Sequence, residues 1–290
     1  MERLLFTNAL GQQITFSSTG TYRWTQVSGI GENTASFQVT ASPYQDGVTP
    51  IGDAYFQSRP IQVDMIIVSN DMAEAIRELN RALNPKLGLA TLTFEKEGVI
   101  KTLNKVKTRV LPILPGGNSR GIGFQISSVI FEAFDPLYTD ANYTEAGVNT
   151  GANVFSFPLT IGSAYVFDYT NETGVQVTNS GDVDCPLTVL FDGPQSSPIT
   201  VLNETTGEKI VLALDLLADE RLTITTGIDN TNVILTDIAT GAETVAFQYI
   251  DVGETTFFQL IRGDNVLRIT AGEAQVEEAT VRFKNRYVGV

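Results

Sequence analysis

Ile61-Gln-Val63-Asp-Met65-Ile-Ile67, then Ser69-Asn-Asp71-Met-Ala-Glu74, then the run to Leu89-Ala-Thr-Leu-Thr-Phe94, decides how this chain is read. The first segment alternates, as a half-buried strand does. Asp71 stands where a helix cap belongs, and Glu74, three residues on, is placed to close a capping box. Met72, Ile76, Leu79 and Leu83 follow at steps of four, three and four, one apolar stripe on a helix of about four turns. Asn84-Pro85 ends it, because proline cannot continue a helix. Leu89 to Phe94 resumes as strand. This strand–helix–strand unit gives the first domain its core, and the rest of the chain reads as β.

To its N-terminal side, Leu4-Leu-Phe-Thr and Gln13-Ile-Thr-Phe-Ser flank Asn8-Ala-Leu-Gly11 as a hairpin. Tyr22 to Val27 is a further strand, stopped by Gly29-Ile-Gly31. Ser36-Phe-Gln-Val-Thr-Ala then leads through Pro43-Tyr44-Gln-Asp46-Gly47 to Thr49-Pro50-Ile-Gly52. Asp-Gly is a turn signal, yet this connection is too long for a tight hairpin, so a projecting arm is expected. To its C-terminal side, Val99 to Val110 alternates, which predicts Lys101, Lys105, Lys107 and Arg109 on one strand face. A solvated face is the plainer account of such a stripe, and a dock for an acidic partner surface is the functional one. Gly123 to Phe134 is another strand, closed by Asp135-Pro136.

Residues 139–152 are small, polar and aperiodic, and are expected to be a linker between a domain of residues 1–138 and one of residues 153–290. Short alternating runs follow at Val154–Phe157, Tyr165–Tyr169, Leu187–Phe191, Ile199–Asn203, Lys209–Leu214, Leu222–Thr225, Asn232–Leu235, Thr256–Leu260, Val266–Ile269 and Ala279–Phe283. That spacing predicts a β-sandwich.

The chain has 290 residues, 42% hydrophobic, and a net charge of −14. Residues 1–140 hold 12 Lys and Arg against 13 Asp and Glu; residues 141–290 hold 7 against 20. An acidic second half is a poor nucleic-acid binder. No apolar run is long enough to span a membrane, and Met1-Glu-Arg-Leu-Leu-Phe lacks a secretory leader's apolar region. The one cysteine, Cys185, reads as a small buried apolar residue in a protein made in a reducing cytoplasm. The sequons at Asn142, Asn171 and Asn203 read as turn chemistry.

With no histidine, histidine triads, HExxH zinc sites and Cys–His pairs are excluded. Neither common glycine-rich nucleotide fingerprint occurs. No pair of carboxylates is singled out for glycosidase work. Asp182-Val-Asp184 lacks the further ligands of a calcium loop, and Arg262-Gly263-Asp264 reads as a turn. No enzyme, metal or cofactor is expected. Sugar binding would need exposed aromatics. The only tryptophan, Trp24, is in the first half, and Tyr165, Phe167 and Tyr169 alternate as a core face does.

The order of motifs along the chain resembles a family, the distal tail proteins (Dit) of long, non-contractile-tailed bacteriophages and related prophages. The resemblance rests on Asn8-x-x-Gly11-x-x-Ile14-x-Phe16, Gly29-Ile-Gly31, Asp46-Gly47, Arg59-Pro-Ile61-x-Val63, Leu79-Asn-x-x-Leu83-Asn-Pro85 and Phe131-Glu-Ala-Phe-Asp135-Pro136. It continues in Asn179-Ser-Gly181-Asp182, Cys185-Pro186, Asn203-Glu-Thr-Thr-Gly207, Phe257-Phe-Gln-Leu260-x-x-Gly263-x-Asn265 and the ending Val281 to Val290. It implies a mainly β fold: a split β-barrel-like first domain with one α-helix and a protruding arm, then a galectin-like or carbohydrate-module-like sandwich. It also implies a homo-hexameric ring at the end of the tail tube, with DNA only as cargo through the channel. The sandwiches would face outward toward tail-associated and fibre proteins, in the virion. Subunit-interface candidates are then Tyr44, Asp46 and Gly47 in the arm and Lys105, Lys107 and Arg109 in the basic stripe. The stripe is expected to face protein, since lysines lining a lumen would retard passing DNA. The alternative is a phage carbohydrate-binding protein touching host cell-surface sugar through Tyr165 and Tyr169.

Overall fold

The computed structural model describes residues 2–44, 46–148, 174–227, 229–272, 274–275 and 279–290. The chain divides into two units: residues 1–141 with 286–290, and residues 142–285.

Unit 1 opens with the expected hairpin, β1 (Arg3–Thr7) and β2 (Gln13–Ser17), paired Leu4 to Phe16 and Phe6 to Ile14. Asn8 holds its turn: the side-chain oxygen accepts from the backbone N–H of Leu10 and Gln12, while Nδ2 donates to the carbonyl of Ala82 at 3.1 Å. β3 (Tyr22–Ser28) runs parallel to β2. β4 (Ala35–Thr40) and β5 (Thr49–Phe56) pair only with each other. β6 (Arg59–Val68) leads into α1 (Met72–Ala82). β7 (Ala90–Lys96), β8 (Val99–Ile113), β9 (Arg120–Gly121), β10 (Phe124–Ala133) and β11 (Tyr138–Asp140) follow.

The helix has eleven residues, three turns where the stripe suggested four. Leu79, Leu83, Ala75 and Ala82 are buried, whereas Met72 and Ile76 are half-buried at the margin. Asp71 accepts from the backbone N–H of Glu74 at 3.0 Å, the expected half of the capping box. The reciprocal half is replaced, because the N–H of Asp71 donates to Ser69 Oγ at 3.1 Å.

Fifteen-residue β8 closes the unit. Its first half pairs with β7 and β11 and its second half with β10, so that β8-β7-β1-β2-β3-β6-β10 returns to β8. Inside lie Phe6, Phe16 and Phe131, with the Phe6 and Phe131 rings stacked at 5.2 Å and Phe16 edge-on to Phe131 at 6.1 Å. A closed sheet with one buried side and a helix packed against β2, β6 and β8 agrees with the barrel-like expectation.

Unit 2 adds β12 (Thr144–Val148), β13 (Val175–Asn179), β14 (Leu187–Asp192), β15 (Ile199–Asn203), β16 (Glu208–Leu212) and β17 (Glu220–Gly227). Then come β18 (Asn230–Asp237), β19 (Glu243–Val245), β20 (Gly263–Ala271), β21 (Ala274–Gln275) and β22 (Ala279–Phe283). Two antiparallel sheets form, ordered β12-β22-β14-β17-β18-β19 and β13-β20-β15-β16. Val189, Phe191, Leu222, Ile224, Val281 and Phe283 from the first share one core with Val201, Ile210, Leu212, Leu267 and Ile269 from the second. This is the expected sandwich. Cys185 is fully buried in it, as read.

Three buried asparagines fasten its turns. Asn179 donates to the carbonyls of Val183 and Leu260, Asn203 accepts from the N–H of Thr205, and Asn265 donates to the carbonyls of Ile261 and Gly263. Asn203 is therefore turn chemistry, fully buried. Asp184 likewise serves a turn, accepting from the N–H of Arg262.

The boundaries differ from the expected ones. Tyr138–Asp140 belongs to the first unit's sheet and Thr144–Val148 to the second's, so the expected linker 139–152 carries two strands and the units divide between Ala141 and Asn142. Its small residues satisfied their backbone in ladders, which composition does not reveal. The chain also returns: β23 (Arg286–Tyr287) pairs with β11, Tyr138 opposite Tyr287, and Arg286 reaches Asp135 at 2.6 Å. Thr256–Leu260 is not a strand. Phe258 and Leu260 bury their side chains, while the backbone is held at separate points, by the isolated pairing of Leu260 with Cys185 and by the Thr256 N–H donating to the Lys209 carbonyl at 2.8 Å. The runs at Val154–Phe157 and Tyr165–Tyr169 lie outside the described residues.

Candidate functional site

The expected arm is present, and its foot is tightly constrained. Gly29 has φ +88°, and a Cβ there would sit 2.0 Å from the Pro60 carbonyl oxygen. Only glycine fits so close a crossing. Beside it, Arg59 is 1% exposed. One Nη donates to the Ile30 carbonyl at 2.6 Å and the other to the Val288 carbonyl, and the guanidinium lies 4.8 Å above the Tyr138 ring. The Tyr138 hydroxyl donates to the same Ile30 carbonyl at 3.1 Å. Burial pulls the Arg59 pKa below its usual range, with Tyr138 and Glu32 opposing. Burial also pushes the Tyr138 phenol up to about 12, against the pull of Arg59. Gly29-Ile-Gly31, Arg59-Pro-Ile61, Tyr138 and the C-terminal segment thus meet at one node.

From that node the chain runs out and back. Every described residue from Ser36 to Ser58 is exposed. Phe37 is 63% exposed, Val39 52%, Ile51 51% and Tyr55 64%. Pairing sets Gln38 opposite Ile51 and Ser36 opposite Tyr55, which puts Phe37 and Val39 on one face of the ribbon and Ile51 and Tyr55 on the other. Both faces of the ribbon are apolar. Its only charges are Asp46 and Asp53. The tip turns through Tyr44, fully exposed at φ +64°, and Gly47 at φ +87°. The candidates Tyr44, Asp46 and Gly47 therefore sit together at the end of the arm.

The basic stripe is not one face. Lys105 has φ +53° and stands in a bulge, where β8 spends three residues from Leu103 to Val106 against two on β7. The extra residue reverses the alternation. Leu103 points inward before the bulge, and Val106 and Thr108 after it. Lys101 therefore falls on the opposite side from Lys107 and Arg109. Its ammonium meets Asp140 at 2.6 Å and lies 3.3 Å above the Tyr287 ring, a structural contact within unit 1. Lys107 stands opposite Glu132 on the outer side of the barrel sheet, and Arg109 reaches Glu132 at 3.1 Å with its own side chain 64% exposed.

That outer side carries two features the sequence reading passed over. A hollow of about 520 Å³ at the foot of the arm is lined by Glu32, Asn33, Arg59, Gln62, Arg109 and Ile130 among others. Both polar atoms of the Asn33 amide are buried there without a partner. Along the same side, Val68 pairs with Phe124, Ile66 with Ile126 and Ser128 with Ile113. Phe124, Ile126 and Ile113 are 38%, 42% and 50% exposed, while Gln125 and Ser127 face in. The signal was available. Val129, Phe131 and Ala133 point inward, and counting back by two sends Phe124 and Ile126 out.

Among the described residues no group of His, Cys, Asp and Glu could hold a metal ion. The sugar-contact candidates Tyr165 and Tyr169 lie outside the described residues.

Residues 180–287 match the family model of the siphovirus-type tail component, C-terminal domain. No curated protein sequence matches the chain. Among solved structures, the Dit protein of phage SPP1, described as a paradigm of the hub adsorption apparatus in phages infecting Gram-positive bacteria, superposes with a TM-score of 0.70 at 14% identity, covering 99% of both chains. A chain of the phage P2 baseplate in its activated conformation with calcium gives a TM-score of 0.55 at 12% identity, covering 100% of both. At those identities the likeness is one of fold, and it extends over both units. The resemblance to distal tail proteins agrees with both findings: residues 180–287 match the C-terminal domain of a siphovirus-type tail component, and the whole chain shares its fold with a Dit protein.

Proposed function

We propose, from a chain with the fold of a phage distal tail protein and the C-terminal domain of a tail component, that this protein forms the hub ring at the distal end of the tail tube. Six copies of unit 1 close around a channel that DNA crosses as cargo. Unit 2 faces outward to tail-associated and fibre proteins. The observation that carries this reading is the arm: an apolar ribbon covered on neither face, projecting from a foot that allows it little freedom. A monomer has no use for such an element, since exposed apolar surface of this extent marks a contact. Head-to-tail contacts of one arm per copy close into a ring when the rotation allows. The second half's charge of 7 Lys and Arg against 20 Asp and Glu suits a solvent-facing module that repels anionic surfaces.

Negative-stain electron microscopy and mass photometry of the purified chain test this, alone and with the cognate tube protein. Six-fold rings with a central hole are expected, and deletion of residues 41–48 at the tip should leave monomers. Monomers from the intact chain in both conditions would overturn the hub reading.

A further inference from the structure

Unit 1 is not completed by its own stretch of chain. Its sheet takes β23 from residues 286–290, which follow the whole of unit 2 in sequence. That short segment is held at several points. Arg286 reaches Asp135 at 2.6 Å, the Tyr287 hydroxyl donates to Asp140 at 3.3 Å, and Lys101 lies 3.3 Å above the Tyr287 ring. Tyr287 also packs against the core of the barrel, as Ile30 does. Beyond the strand, the Val288 carbonyl accepts from Arg59, and a Cβ added at Gly289 would lie 3.8 Å from the Gly31 carbonyl oxygen.

These contacts end at the foot of the arm. Arg59, 1% exposed, holds Ile30 with one Nη and Val288 with the other, and its Nε is buried without a partner. Without Val288, the carbonyls left to the guanidinium are those of Gly29 and Ile30, in the very loop it fixes. A buried cation short of acceptors draws water in, and here that water would enter the foot. We propose that residues 286–290 are a strap that fixes the foot of the arm and ties it to the folding of unit 2. Until unit 2 has folded, the strap stays undocked and the arm is not held in position for ring closure. Only the part about ring closure rests on the ring reading.

The tie follows from connectivity. β11 and β23 are neighbours, Thr139 opposite Arg286, so the two ends of residues 142–285 return to nearly the same place. As an unfolded loop, that stretch loses closure entropy before residues 286–290 can dock. Folded, it has already brought its ends together, because β12 pairs with β22, Thr144 opposite Phe283. Unit 1 is synthesised first, and domains fold in that order. The apolar ribbon therefore exists for a time without a fixed foot. A loose foot raises the ordering cost of assembly, which keeps unfinished chains from closing on one another.

Hydrogen exchange of the purified full chain, read peptide by peptide, tests the strap whether or not rings form. Arg286→Ser with Tyr287→Ser removes its side-chain anchors and leaves its backbone in place. Exchange in peptides covering residues 27–34 and 56–61 should quicken roughly tenfold, while a peptide covering β1 and β2 should not change. Arg282→Ser removes a cation of unit 2 that pairs with Glu145, and should leave the foot as in the parent. Phe191→Ala opens a cavity in the core of unit 2, and should quicken exchange in unit 2 and at the foot together. Both the strap variant and Phe191→Ala should raise the concentration for half-assembly several-fold.

A foot whose exchange ignores the strap variant overturns the strap, as does a rise shared equally by β1 and β2. A foot that stays protected in Phe191→Ala while unit 2 exchanges overturns the tie. Rings from the strap variant at the parent's concentration overturn its part in assembly. If the foot loosens in both variants and the parent forms no rings, the strap stands and the ring reading falls.

Discussion

The foot of the arm and the arm itself are adjacent in sequence and opposite in physics. Between Gly29 and Arg59 the chain leaves and re-enters a node where a backbone crossing, a buried guanidinium, a tyrosine and the C-terminal segment hold one another. Between those endpoints the described residues past Ala35 are exposed, and the only ladder is the ribbon's own. Such a foot restricts where the arm points, while the arm's conformation is settled by what covers it. Ordering a long segment at assembly costs conformational entropy, and a fixed origin reduces that cost.

The sharpest way to break this contrast is to disturb the foot. Gly29→Ala would drive a Cβ to 2.0 Å from the Pro60 carbonyl oxygen, forcing β3 and β6 apart. We expect a loss of about 3–5 kcal/mol in thermal or urea unfolding, in the range of a strained backbone combined with a lost buried network. Gly98→Ala is the matching control. Gly98 has φ +86°, nearly the same as Gly29, but a Cβ added there would meet nothing within 4 Å. It should cost only the left-handed conformation, about 1 kcal/mol. Equal losses at the two sites would mean that the crossing is not what constrains the foot.

The sequence made the elements and their order legible. Alternation found most strands, and Asp71 with Asn84-Pro85 bounded the helix to within a residue or two. What it could not supply was phase across an irregularity. A two-residue repeat carried from Lys101 to Arg109 puts four cations on one face, and a single extra residue at Lys105 undoes it. The linker failed for a related reason. Small polar residues in 139–152 carry no apolar period, yet their backbones still pair when a neighbouring strand offers a ladder. Nor could local pattern show that residues 286–290 return to the first unit, since that contact spans the whole chain. The motif residues behind the resemblance prove to be fasteners: Asn8, Asn179, Asn203 and Asn265 satisfy turns, and Gly29 and Arg59 fix the foot. They report the fold strongly and the contact surfaces weakly.

A smaller effect sharpens the contrast through pH. Tyr138 is pushed up to about 12 by burial, so the folded state favours the neutral phenol. Its contribution is fully present below the ordinary phenol value of about 10 and is lost as pH rises through about 12. Tyr22, whose hydroxyl donates to the Ala75 carbonyl and to Glu78, is raised by burial and by that carboxylate, adding to the same loss. Tyr138→Phe gives up the hydrogen bond to Ile30, costing about 1 kcal/mol at pH 7. It also abolishes that ionisation. The melting temperatures of parent and variant should therefore converge between pH 10 and pH 12. Parallel curves across that interval would show that Tyr138 is not held neutral at the foot.

The smallest expected effect on stability lies in the arm, and it carries the largest consequence for assembly. Phe37→Ser with Tyr55→Ser replaces one apolar side chain on each face of the ribbon, both more than half exposed. Substitutions on an uncovered surface change folding stability by within about 0.5 kcal/mol, because little apolar area returns to water. The melting temperature of the monomer should hardly move. Ring formation should be lost, since in the assembled state the same two side chains are the ones taken out of water. A variant that melts several degrees lower would mean that the arm is already supported within its own chain. A variant that melts normally and still forms rings would mean that the ribbon's apolar faces are not its contact, and would transfer the search to the tip at Tyr44, Asp46 and Gly47.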